Sequence, residues 1–387
     1  MTPLAATVGA ATFLAGLIWT SSCYGGRAAG DPLDGLTGDQ RDGFRKGSVV
    51  FRQAFTPRTG LGPLFNGVSC AGCHNQPVPG GNGSFTQVNA AVLRPDGFCD
   101  PLAEQGGPVF QLSVTPALKS ALGIDAEPIP AGAPRGNRTT PDVFGFGLLD
   151  AVPESTILNL ADPEDANGDG ISGRVNRFFD GRVGRFGRKA LTPTLAEFNE
   201  GAFHVEQGLT APNILKEGTI GGQPIPAGVD PVPEPEVSAE LVALANAYVG
   251  TIAPAQPKDL GGTERRGERI FSSIGCAKCH IPTLRTGDHP IKALANREFT
   301  AYTDLLLHDM GPDLADICQG LVATPSEFRT EPLMALRLAR RYLHDGRANS
   351  TEEAVELHGG EATDSRDVFR SLSRSDRNAL LRFLGTL

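Results

Sequence analysis

Four stretches of this chain place apolar residues at helical spacing, and they fall in a repeated order. The segments Asp39 to Phe51 and Thr263 to Phe271 read as short helices, and both carry the pattern [Lys/Arg]-Gly-x-x-[Val/Ile]-Phe, as Lys46-Gly47 to Phe51 and Arg266-Gly267 to Phe271. Ser238 to Val249 has Leu241, Leu244, Ala245 and Tyr248 on one helical face, with Ser238 as its predicted N-cap. Ser375 to Leu387 repeats this with Leu380, Leu381, Phe383, Leu384 and Leu387. The order helix, loops, helix therefore occurs twice, as a degenerate internal repeat. Ala253-Pro-Ala-Gln-Pro257 between the copies reads as a linker. The first copy is longer by an insertion of about 150 residues, poor in helical periodicity, in which Val109 to Val114 reads as strand. At the start of the chain, Leu4 to Trp19 is an uncharged apolar run, short for a bilayer span and suited to an export signal.

Composition sharpens this picture. The 387 residues include 48 Gly and 30 Pro, which implies long ordered loops in place of a large helical core. A formal net charge of −9 argues against nucleic acid and suits a neutral or basic protein partner.

The chemistry lies in two pentapeptides, Cys70-Ala-Gly-Cys73-His74 and Cys276-Ala-Lys-Cys279-His280. Each is C-x-x-C-H, the attachment motif of c-type haem, in which both cysteines bond the haem vinyls and the histidine ligates iron. The competing reading, one zinc shared by the two cysteine pairs, leaves both histidines without a role. Each motif follows a helix of the repeat: Phe271 precedes Cys276 by 5 residues, and Phe51 precedes Cys70 by 19. Two covalently bound haem c groups follow.

Three of the seven cysteines remain: Cys23, Cys99 and Cys318. Haem c is attached outside the cytoplasm, where disulfides persist, so Cys99 and Cys318 either pair or stay as separate buried thiols. Ser21-Ser-Cys23 after the apolar run is similar to a lipoprotein cleavage site, which offers a membrane tether through Cys23; the alternative is cleavage nearby and a soluble product. Within the insertion, Asp165, Asn167 and Asp169, with Gly170 and the Ile171 carbonyl, form the first half of an EF-hand loop. Position 12 is Asn176 rather than Glu, so the loop is either an incomplete calcium site or a solvated turn.

From about Gly60 to the C-terminus the chain resembles the bacterial di-haem oxidoreductases of the peroxidase and thiol-oxidoreductase-like family, distantly similar to the di-haem cytochrome c peroxidases and MauG. The resemblance is carried by Leu61-Gly-Pro-Leu-Phe-Asn-Gly-Val-Ser-Cys70, Phe144-Gly-Phe-Gly-Leu-Leu-Asp-Ala-Val152 and Gly184-Arg-Phe-Gly187. It continues in Tyr302-Thr-Asp-Leu-Leu-Leu-His-Asp-Met-Gly311, Phe328-Arg-Thr330 and Leu343-His-Asp-Gly-Arg-Ala348. It implies a mainly α fold of two cytochrome c-like haem domains, the first enlarged by the Gly/Pro-rich insertion with short strands. The implied division is a signal or anchor segment over 1–30, the first haem domain over 31–255 and the second over 256–387. The chain departs from the family pattern in lacking tryptophan near Arg188 and Met334; an aromatic relay between haems would fall to Tyr248, Tyr302 or Tyr342.

The resemblance also assigns site residues. Glu353-Ala-Val-Glu-Leu-His358 matches the segment whose methionine is the distal ligand of the C-terminal haem in the peroxidases, so His358 is the expected sixth ligand there, with Met310 the alternative. No histidine lies between His74 and His204, which predicts an open first iron. Beside it, Glu206 is the candidate acid/base, with Gln207 or His204 supporting it. His308 and His344 are expected to hydrogen-bond haem propionates or loop carbonyls, and Arg329, Arg337 and Arg347 to pair with propionates. The expected activity is reduction of hydrogen peroxide in the periplasm or at the outer surface. A small donor protein, a cytochrome or cupredoxin, would supply electrons through the C-terminal haem. The competing readings are a non-catalytic di-haem electron carrier and a haem oxidase of an organic or thiol substrate.

Overall fold

The computed structural model describes residues 28–387; the apolar leader and Cys23 lie outside them. The four predicted helices are present, paired as the repeat implies. In the first half, α1 (Gly38–Arg52) opens on a capping box between Thr37 and Gln40. A single turn, α2 (Cys70–Cys73), carries the first motif. The insertion contributes a three-stranded antiparallel sheet, β1 (Thr86–Ala90) paired on one edge with β2 (Val109–Phe110) and on the other with β3 (Arg135–Thr139). The run Val109 to Val114 is not one strand. It breaks after Phe110, and Ser113–Val114 pairs instead with Leu64–Phe65. Helix α3 (Leu195–Gln207) follows, then α4 (Ala239–Val249), capped by Ser238 as predicted.

The second half repeats the plan with α5 (Gly262–Ser273), the hairpin β4 (Leu307–Asp309) and β5 (Glu327–Arg329), then α6 (Thr351–Glu356), α7 (Thr363–Ser371) and α8 (Arg374–Leu384). Helix α1 crosses α4, and α5 crosses α8. The glycine of the repeated pattern explains both crossings. A Cβ on Gly47 would sit 2.0 Å from the Leu244 carbonyl oxygen, and one on Gly267 would sit 2.0 Å from that of Ala379. Only glycine lets the two backbones approach so closely.

The main hydrophobic core does not respect the halves. Phe44, Phe51, Phe144, Leu149 and Tyr248 pack in one cluster with Leu284, Phe299, Leu305 and Met334. The segment predicted as a linker is part of it. Ala253 and Ala255 are buried, and the Ala253 amide donates to the Asp31 carbonyl at 2.9 Å. Small apolar side chains in an extended backbone fill the seam between the halves, where a linker would be exposed. A disulfide, Cys99–Cys318, joins the insertion to the second half. Among the described residues, no helix is long and apolar enough to cross a membrane.

Candidate haem sites

Both motifs present their histidine in the same way. At the first, Ser69 Oγ accepts from the Gly72 amide (3.0 Å), and the His74 amide closes the turn on the Cys70 carbonyl (2.9 Å). At the second, the His280 amide donates to the Cys276 carbonyl (3.0 Å). His74 Nδ1 donates to the Pro141 carbonyl (2.8 Å) and His280 Nδ1 to the Tyr302 carbonyl (2.9 Å). Each contact fixes the tautomer and leaves Nε2 as the nitrogen with a free lone pair. Burial pushes both imidazoles down to about 4, so they stay neutral, as metal ligands must. The repeated phenylalanine flanks each ring, Phe51 at 6.2 Å from His74 and Phe271 at 6.4 Å from His280.

A cavity of about 1850 Å³, its mouth included, opens against the second motif. Cys276, Cys279 and His280 line it, and so do His358 and Met310. His358 follows α6, and its Nδ1 donates to the Ala354 carbonyl (2.7 Å). It thus matches the two proximal histidines in tautomer, and burial lowers its pKa. The wall also holds Arg329 Nε, without a hydrogen-bond partner, and His344 Nε2, whose nearest carboxylate oxygen is Asp316 Oδ2 at 3.6 Å, in residues only 6% and 7% exposed. An orphaned donor of this kind fits a group that brings its own carboxylates, which haem does. The residues present therefore fit a haem at the second motif.

Beside the first motif lies a buried polar network. Glu206, near the end of α3, accepts from Asn66 Nδ2 at 3.0 Å and from Gln87 Nε2, and Gln87 is in turn held by Asn89 Nδ2 (2.8 Å). Burial raises the Glu206 pKa, against the two amide donors that lower it. Gln207, 2% exposed, reaches Cys70 Sγ (3.5 Å) with its amide nitrogen and leaves Oε1 without a partner. Asn66 and Gln87 escape a sequence reading. Neither belongs to a spaced motif, and Glu206 meets them only because β1 and the loop before α2 fold onto α3. One signal did exist, since Asn66 lies inside the Leu61 to Cys70 element.

Several expectations need correction. His204 is not beside Glu206. Two residues earlier on α3, and so on another face of the helix, it lines a separate small cavity with Gln111, Glu217 and Ile225. Arg347 is exposed, bonded to Asp345 and to the Asp313 carbonyl (2.6 Å), and lies outside the cavity wall. Arg337 donates to the Gln256 carbonyl (2.8 Å) and is also outside it. His308 lines the cavity, but its ring nitrogens are taken by Asp304 and Glu361, each at 2.8 Å. In the Asp165 loop, Asp165, Asn167 and Asp169 all accept from loop amides, and Asn176 is committed to the Lys189 carbonyl (2.7 Å). The loop also docks on the second motif. Lys278, inside Cys276–His280, donates to the Asp169 carbonyl (2.9 Å), Ser172 bonds Glu361 (2.7 Å), and Ile171 lines the cavity.

Among the described residues, two sets of aromatic contacts flank the motif histidines, and others, such as Phe328 stacked on His344 at 4.0 Å, lie apart from them. Phe44, Phe51 and Tyr248 gather at His74, while Phe271, Tyr302 and Phe383 gather at His280.

Comparison with known proteins agrees with this chemistry. MauG of Methylorubrum extorquens is 28% identical over 177 residues, covering 41% of this chain and 45% of MauG, so the chain spans less than half the length of that relative. Solved structures that the chain matches include hydrazine synthase of Kuenenia stuttgartiensis (13% identity, TM-score 0.43, 99% of this chain and 100% of that one). A MauG-like protein associated with microbial copper homeostasis (16%, 0.37, 95% of each) is another. A variant of the di-haem peroxidase BthA from Burkholderia thailandensis (17%, 0.44, 89% and 85%) is a third. Residues 131–387 match the family described as "Di-haem oxidoreductase, putative peroxidase". By that match, which runs from before β3 through the second motif to the last residue, the chain belongs to the di-haem oxidoreductase and peroxidase family of enzymes.

Proposed function

We propose that this enzyme is an exported di-haem c peroxidase that reduces hydrogen peroxide, with two electrons and two protons, to two waters. Electrons enter singly through the C-terminal site from a small cytochrome or cupredoxin. The carrying observation is the asymmetry of the two sites. The second has a half-buried histidine, His358, on the cavity wall it shares with His280. The first has a half-buried carboxyl, Glu206, beside the amides of Gln207, Gln87 and Asn66, and no histidine between His74 and His204.

Bound by thioether links at the two motifs, the haems supply one-electron transfer and an iron that accepts peroxide. The chain's own residues do the rest. His74 and His280 would hold the two haem irons through Nε2, and His358 would close the second site. Arg329 and His344 would hold propionates through Nε and Nε2. Glu206, whose pKa burial raises, carries a proton from one peroxide oxygen to the other. Gln207 donates to the departing oxygen, and Asn66 and Gln87 fix the carboxyl between them. An exported location is supported by the need to attach haem c, and by the Cys99–Cys318 disulfide.

The test is Glu206→Gln in the holoprotein. Peroxide turnover should fall by about 100-fold or more while haem content and the resting spectrum hold. Turnover within a few-fold of the parent removes Glu206 from the chemistry. No turnover in the parent with any one-electron donor leaves the electron-carrier reading.

A further inference from the structure

A continuous run of bonds joins the two proximal histidines, and it crosses between the halves at one ion pair. From the first site, His74 Nδ1 donates to the Pro141 carbonyl (2.8 Å). Two peptide units back, at the end of β3, the Thr139 carbonyl accepts from Arg188 Nη2 (3.1 Å). Arg188 Nη1 pairs with Glu331 Oε2 (2.8 Å). The peptide next to Glu331 contributes the Thr330 carbonyl, which accepts from Thr303 Oγ1 (2.6 Å). The residue before Thr303 is Tyr302, whose carbonyl takes the His280 Nδ1 proton (2.9 Å). Arg329 Nη2 braces the crossing by donating to the same Glu331 oxygen (2.6 Å).

The run is built rather than incidental. Thr139, Thr303, Arg329 and Thr330 are buried, and Arg188 and Glu331 line the cavity of the second site. Among the described residues, no aromatic contact joins the rings at His74 to those at His280. Both ends bond the nitrogen opposite the iron-binding one, where a partner sets ring orientation and ligand strength.

We infer that the Arg188–Glu331 pair is the electronic link between the two haem sites. With haem at both motifs, one electron would cross it from the second site, ferrous becoming ferric, to the first, ferric becoming ferrous. Arg188 and Glu331 act as positioning residues that hold the path closed. The inference rests on the di-haem reading above but not on peroxide as substrate.

The test is pulse radiolysis of the oxidised holoprotein with a limiting supply of electrons. Inter-haem transfer is followed at the haem bands, with both potentials titrated so that rates are compared at known driving force. Arg188→Met should slow transfer by about tenfold or more, and Arg188→Lys, which keeps the charge, should recover most of it. If Arg188→Met fails to hold haem, the near-isosteric Glu331→Gln carries the test and should also slow transfer. A rate within about twofold of the parent in whichever variant binds both haems overturns the inference. A protein that moves electrons between its haems but ignores peroxide overturns the proposed function and leaves this link standing.

Discussion

His308 is held by two carboxylates at once, Asp304 on Nε2 and Glu361 on Nδ1. Burial alone would push its pKa down. The hydrogen bonds to Asp304, Cys279 and Glu361 win, and push it up to about 12. The proposed haem attachment would turn the Cys279 thiol into a thioether and leave the two carboxylates in place. Glu361 moves the other way. Burial raises it, but His308, Ser172 and the Asp309 amide hold it down at about 2. The signs follow. The His308 contribution is complete below its unfolded value of 6.5 and declines as pH rises towards about 12. The Glu361 contribution is present above its unfolded value of 4.5 and is lost as pH falls towards about 2. His308→Gln should therefore flatten the loss of melting temperature between pH 7 and 10 relative to the parent. An unchanged slope would mean that the alkaline loss comes from other groups. The sequence marked His308 as important through its motif, yet could not show its partners. Glu361 lies in an unremarkable loop, and only the fold brings it across.

Among elements, the two crossings of the repeat make the sharpest contrast. Gly43 and Gly47 share α1. A Cβ on Gly43 would meet only the Ala247 Cβ, at an ordinary 3.6 Å, whereas one on Gly47 would strike the Leu244 carbonyl. Replacing glycine by alanine inside a helix gains about 0.5–1 kcal/mol where space allows. Forcing two backbones apart costs about 1–3 kcal/mol, because a carbonyl cannot rotate away as a side chain can. Gly43→Ala should thus stabilise the holoprotein to denaturant and Gly47→Ala destabilise it, with Gly267→Ala behaving like Gly47→Ala. Equal effects at Gly43 and Gly47 would refute the close crossing. The helices themselves were legible, since period, caps and apolar faces all agreed. The repeated glycine was visible too, but its reason was not, because the opposing carbonyls lie about 110 to 200 residues away. The insertion was read least well. Its strands are two to five residues long, too short for alternation to declare them.

For the whole molecule, the sequence spoke clearly where chemistry is written in contiguous residues. Cys70 to His74 and Cys276 to His280 needed no fold to be understood. It misjudged what depends on three-dimensional closure. Ala253 and Ala255 of the expected linker are core, while Pro257 is exposed, and His204 and Arg347 lie away from the groups they were expected to join. The central claim concerns the two irons: one closed by His280 and His358, the other open opposite His74. Electron paramagnetic resonance of the fully oxidised holoprotein, with spins counted per chain, tests this directly. The predicted result is one low-spin and one high-spin ferric haem. Two low-spin haems of equal weight would contradict it.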